Sequence, residues 1–126
     1  MANIMSAREI VEIQMNQLKN DKYSSGIKVA YFFASPENKS STGPFYRFKE
    51  MVKNDIYKHL INNKSYKILN QKIKNKEYYI KTRVLSKFDD NYHHYLFILT
   101  QKNGYDKYSN KYLYNYFRTD AVIKIN

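Results

Sequence analysis

Tyr78-Tyr79-Ile80-Lys81-Thr82-Arg83-Val84-Leu85-Ser86-Lys87-Phe88 is the stretch on which the fold turns. Tyr78, Ile80, Val84 and Phe88 alternate with Tyr79, Lys81, Arg83 and Lys87, and a two-residue period is that of a strand with one dry and one wet face. Asp89-Asp90-Asn91 follows as a hairpin turn. Tyr92 to Lys102 then returns as a strand whose centre, Leu96-Phe97-Ile98-Leu99, is apolar on both faces, which places it inside a sheet. Asn103-Gly104 opens the next connection, helped by Asp106, Ser109 and Asn110. A last strand spans Tyr112 to Ile125. Upstream, Ser65 to Lys74 reads as a fourth strand, although the adjacent Ile68 and Leu69 spoil its alternation.

Before residue 64 the spacing is helical. Ile10, Val11, Ile13, Gln14, Met15 and Leu18 form one stripe of a helix from Ser6 to Lys19, with Arg8, Glu9, Glu12 and Asn16 facing water. Ser6 and Glu9 have the spacing of a capping box. A second helix, from Ser24 or Ser25 to Ala34, carries Ile27, Ala30, Tyr31 and Phe33 and is too apolar to be exposed; Pro36 ends it. Glu37 to Gly43 reads as a polar loop. Pro44 starts a third helix with Phe45, Phe48, Met51 and Val52 on one face, and Asp55 to Asn63 is short helical or irregular chain. The expectation is one α+β domain over residues 1–126, with three N-terminal helices packed on a curved antiparallel sheet of about four strands.

Composition narrows the function classes. The chain has 126 residues, no cysteine and a net charge of +11, so disulfides, thiolate metal sites and a cysteine nucleophile are excluded. Arg8, Glu9 and Glu12 interrupt the N-terminal apolar residues, which argues against a signal peptide. No apolar run approaches the roughly 20 residues of a membrane span. An intracellular, soluble protein with no membrane association is expected. On that basis Asn38-Lys39-Ser40 and Asn63-Lys64-Ser65 match the glycosylation sequon by chance. Residues 64–126 hold thirteen basic and five acidic groups, against nine and six before them. The charge thus sits on the sheet half, where Tyr79, Lys81, Arg83 and Lys87 would form a face for nucleic acid or a protein partner. Codon bias toward Lys, Asn, Ile and Tyr explains the same charge without function.

The segments Val11-Glu12-Ile13-Gln14, Gly26-Ile27, Ala30-Tyr31-Phe32-Phe33-Ala34-Ser35-Pro36 and Gly43-Pro44-Phe45, with Phe48 and Met51-Val52, resemble an uncharacterised domain family of bacteria and plants. That family is itself similar to the nuclear transport factor two-like superfamily, whose bent sheet wraps helices as a cone and often encloses a pocket. The chain departs from the family pattern near its end, where Tyr116 and Phe117 stand in place of a tryptophan. The resemblance implies a cone with Tyr31, Tyr46, Tyr57, His94, Arg118 and Asp120 near its cavity, and it implies no activity.

Residues suited to catalysis are sparse. His93 and His94 are neighbours on a strand and point to opposite faces, so they cannot share an ion. His59 could meet only one of them, and no carboxylate or third histidine at ligand spacing is evident, so no metal or other cofactor is expected. Arg118 and Asp120, two apart on one strand, suit a structural pair. Ser40-Ser41-Thr42-Gly43 lacks the Gly-Lys of a phosphate loop. The leading reading is a non-catalytic interaction or ligand-binding module that pairs with a protein or with itself. A nucleic-acid-associated protein comes second, and an enzyme using the cone third.

Overall fold

The computed structural model describes residues 5–107 and 110–125. Helix α1 (Ala7–Lys19) begins with the capping box read from the sequence. The Glu9 N–H donates to Ser6 Oγ, and the Ser6 N–H donates to Glu9 Oε1, each at 3.1 Å. Two of the orphan donors of the first turn are thereby satisfied. Helix α2 (Ser25–Phe33) crosses α1 at Gly26, where an added Cβ would lie 2.1 Å from the Gln17 carbonyl oxygen. Only glycine permits that approach. The Asp21 carboxylate accepts the Gly26 and Ile27 N–H groups at 2.8 and 3.2 Å and so caps the start of α2.

Among the described residues four α-helices form, not three. The stretch expected to be a loop is helix α3 (Pro36–Thr42). Ser35 is its N-cap, accepting the Asn38 N–H at 3.1 Å, and Pro36 occupies the first turn, where a missing N–H costs nothing. The proline that stops one helix therefore starts another. Helix α4 (Phe45–Val52) follows Pro44, and a single 3₁₀ turn (Lys58–Leu60) leads into the sheet.

Strands β1 (Ser65–Lys74), β2 (Glu77–Leu85), β3 (Tyr92–Asp106) and β4 (Lys111–Ile125) pair antiparallel in the order β1-β2-β3-β4. Leu69 is skipped by the register between Ile68 and Asn70, and this bulge accounts for the broken alternation of β1. Strand β2 is shorter than expected: it stops at Leu85, and Phe88 lies in the following turn, half exposed. Asn103-Gly104 does not open the connection. Strand β3 continues to Asp106, and Gly104, at φ +126°, sits beside a register shift within the β3–β4 ladder. Glycine punctuates a bulge there as it would a turn. The chain reverses beyond it, with Asn110 at φ +55°; Ser109 lies outside the described residues. The outer edge of β4 is met by Ala34, which bridges to Thr119, while the Ser35 N–H donates to the Thr119 carbonyl at 2.8 Å. No helix among the described residues is long and apolar enough to cross a membrane.

The helices cover one face of this sheet. Ile80, Val84, Tyr95, Phe97 and Leu99 from the sheet join Ile10, Met15, Ile27, Phe33 and Phe48 from the helices in one core. Each large apolar side chain buried this way contributes about 1.5–3 kcal/mol. On the opposite face, cross-strand partners bring Tyr79, Lys81 and Arg83 of β2 beside Ile98, Leu96 and His94 of β3.

Candidate functional site

Between the helices and the inner face of the sheet lies a cavity of about 230 Å³. Its wall is mostly apolar, with Leu18, Ala30, Phe48, Val52, Leu60 and Phe97 contributing from five elements. A polar side is built from Gln14, Asn38, Ser41, Tyr57, Thr119 and Asp120. The buried Gln14 donates its Nε2 to Thr119 Oγ1 at 2.8 Å, which ties α1 to β4. Asn38 Nδ2 donates to the Thr119 carbonyl at 3.1 Å, and the Tyr57 hydroxyl donates to the Val122 carbonyl at 2.7 Å. Burial raises the Tyr57 phenol above its ordinary range, since the anion would lose its hydration. Asp120 accepts from Thr100 Oγ1 at 2.7 Å and pairs with Lys102 at 3.2 Å. Lys102 also reaches Glu37 at 3.4 Å and so fastens α3 to the sheet.

Of the six residues expected around a pocket, Tyr57 and Asp120 line this one. The other four lie elsewhere. Tyr31 meets Phe45 and Phe48 edge-on at 5.6 and 5.2 Å and carries Lys39 over its ring. Tyr46 is 58% exposed on α4. His94 is on the uncovered face of the sheet, where burial together with the charges of Lys81 and Arg83 pushes its pKa down. Arg118 is buried with its guanidinium over Phe32, Phe33 and Tyr116, while the carboxylate expected to pair with it bonds to Lys102. Gln14, Asn38 and Thr119 carry the polar side and were not singled out by sequence. An amide on the apolar stripe of α1 was the available signal.

The uncovered face holds Tyr79, Lys81 and Arg83 together, as the two-residue period requires. Lys87 lies past the end of β2, with its ammonium over the Phe88 ring, and is not part of that ladder. A shallow groove of about 480 Å³ on this face is lined by Asn70, Lys72, Lys74, Tyr79, Lys81 and Leu96.

A third cluster contradicts the expectation that His59 and His93 find no carboxylate beside them. The 3₁₀ turn packs against the β2–β3 hairpin, and donor atoms of His59, Asp89 and His93 lie within 4.8 Å of one another. Asp89 Oδ2 is 2.8 Å from His93 Nε2, and His59 Nδ1 is 2.7 Å from Ser86 Oγ. The imidazoles stack, with centroids 3.7 Å apart and planes 8° from parallel. An imidazole donates to a metal in its own ring plane at about 2.0–2.1 Å, so two parallel rings do not converge on one ion as they stand. Stacked rings do oppose double protonation. Burial, and then the charge of His93, lowers the pKa of His59; Lys124 and Lys58 act the same way, and Asp89 acts against them. The Asn91 N–H, and then His93, hold the Asp89 carboxyl down to about 2. Asp89 and His93 are four residues apart across a hairpin turn, a spacing the sequence offered.

No protein-family model, curated protein or solved structure matches the chain.

Proposed function

We propose that the protein is a non-catalytic module that binds a small, largely apolar molecule in the cavity between its helices and its sheet. The single observation carrying this reading is a cavity of about 230 Å³ whose apolar wall is broken by polar groups on one side. An apolar cavity of roughly 150 Å³ already admits a benzene ring, and a wall of this kind with a few convergent polar groups is the usual anatomy of a ligand site. The nuclear transport factor two-like resemblance agrees with it, since members of that superfamily often enclose a pocket within a cone-like sheet. A binding role is favoured over catalysis by how the titratable groups of the wall are spent. The Tyr57 hydroxyl donates to a carbonyl, and Asp120 is held by Thr100 and Lys102. Neither is free to shuttle a proton in the way general acid–base chemistry demands.

The test is thermal denaturation of the full chain with benzene, indole and hexanoic acid, beside an Ala30→Leu variant that fills the cavity. At least one compound should raise the midpoint of the native chain in proportion to the logarithm of its concentration. Ala30→Leu should abolish the rise while remaining folded. If no compound acts, or if the filled variant responds equally, the reading is wrong.

A further inference from the structure

We infer that the uncovered face of the sheet docks an acidic, amphipathic segment of a partner protein, laid along the strands as a second covering layer. The face is divided lengthwise. On β1 and β2 the outward residues include Lys67, Lys72, Lys74, Lys81 and Arg83, with Glu77 as the acidic member among the described residues. On β3 and β4 they include Leu96, Ile98, Ile123 and Ile125. The two halves interlock, because Lys81 stands opposite Leu96 and Tyr79 opposite Ile98. Neighbouring strands lie about 4.8 Å apart, so one helix of roughly 10 Å diameter spans the cations and the aliphatic strip together. Its apolar stripe would cover Leu96, Ile98 and Ile123 while its acidic flank meets Lys72, Lys81 and Arg83.

Charge and chemistry decide among occupants. A second copy docked by the same face would set five cations near five cations, and like-charge juxtaposition costs several kcal/mol. Single-stranded nucleic acid fits the cations but needs open aromatic faces for its bases. Here the strip is aliphatic, the Tyr92 ring is covered by the Arg83 guanidinium at 4.5 Å, and Tyr79 is half-buried opposite Lys72. Ile123 remains 45% exposed, and Leu96 and Ile98 are half-buried. An acidic amphipathic segment satisfies both halves at once.

The test uses the full chain and three labelled probes: a peptide of about 20 residues with leucine at helical spacing and glutamate between, its scrambled counterpart, and an oligo-dT of similar length. Fluorescence anisotropy should show the amphipathic peptide binding about tenfold or more tighter than the scramble, with affinity falling as salt screens the charges. Ile98→Asp and Lys81→Glu should each weaken it about tenfold, a change of about 1.4 kcal/mol, while leaving the thermal midpoint within a few degrees. Ala30→Leu should bind the peptide unchanged, which separates this surface from the cavity. Binding no tighter than the scramble overturns the inference. So does oligo-dT binding that exceeds the peptide's and is indifferent to Ile98→Asp, which would make the face a nucleic-acid platform. A dimer that Ile98→Asp dissociates also overturns it, because the face would then belong to a second copy.

Discussion

Strand β3 presents two different molecules depending on which side is viewed. Toward the helices, Tyr95, Phe97 and Leu99 are buried to 1% exposure or less, and the Thr82 hydroxyl donates to the Tyr95 carbonyl at 3.1 Å. Away from them, His94, Leu96 and Ile98 alternate with these three along the same backbone and stay half-buried, beside Arg83, Lys81 and Tyr79. The two sides differ in hydrophobicity far less than in what covers them. Aliphatic residues on both sides of a central strand are the pattern of a sheet sandwiched between layers, yet among the described residues helices cover one side alone. The inner face therefore serves stability, and the outer face is where a partner would find uncovered apolar surface and charge.

The sharpest way to break that contrast is to truncate neighbours. Phe97→Ala should destabilise the chain by about 3–5 kcal/mol, because the removed ring leaves a void next to an existing cavity. Ile98→Ala, one residue on, should cost about 1 kcal/mol or less, since the site is already half wet. Urea denaturation of both variants measures the gap. Equal losses would mean that the outer face is buried in the working protein and that the contrast between the faces is false.

A smaller effect probes how the inner face tolerates polarity. Gln14→Leu keeps the volume on α1 but removes the donor to Thr119, and leaving a buried polar group without its partner costs about 1–3 kcal/mol. Pairing it with Thr119→Val removes both halves of the bond. The double variant should recover most of that loss, so that the two changes are coupled by about 1 kcal/mol. Strictly additive losses would show that each side chain is held by other contacts and that α1 is not fastened to β4 through this bond.

What was legible in the sequence was what neighbours along the chain decide. The capping box of Ser6 and Glu9, the stripe of α1 and the alternation of β2 depend on residues two to four positions apart, so spacing reveals them. Helix α3 was hidden because its support is distant: Asn38 bonds to Thr119, and Glu37 meets Lys102. Local sequence there reads as turn chemistry, and tertiary contacts override it. The same physics divides the candidate sites. Tyr79, Lys81 and Arg83 share a face because a strand enforces it, whereas the cavity wall gathers Gln14, Asn38 and Thr119 from three elements. The stack of His59 on His93 required the 3₁₀ turn to settle on the β2–β3 hairpin, and no pattern within either segment announces that.

The gentlest test bears on that stack, where a buried imidazole meets a second ring on the inner side. His59 is 6% exposed, and its surroundings disfavour its proton below the ordinary value near 6.5. In the unfolded chain the imidazole takes up a proton as pH falls through 6.5, while the folded chain resists. The unfolded state then binds more protons, and stability declines with falling pH. The contribution of His59 is therefore whole above pH 6.5 and is lost as pH drops from there toward its lowered folded value. His94, on the outer face, is also depressed, by burial and by Lys81 and Arg83, so wild-type acid sensitivity is shared between the faces. A His59→Phe variant keeps a ring to stack on His93 and removes the inner share. Its stability should fall less steeply than that of the wild type between pH 7 and 5, and imidazole NMR titration of the wild type should place His59 below 6.5. Identical slopes for the two proteins would assign the acid sensitivity to the outer face, leaving the stack a packing contact with no proton linkage.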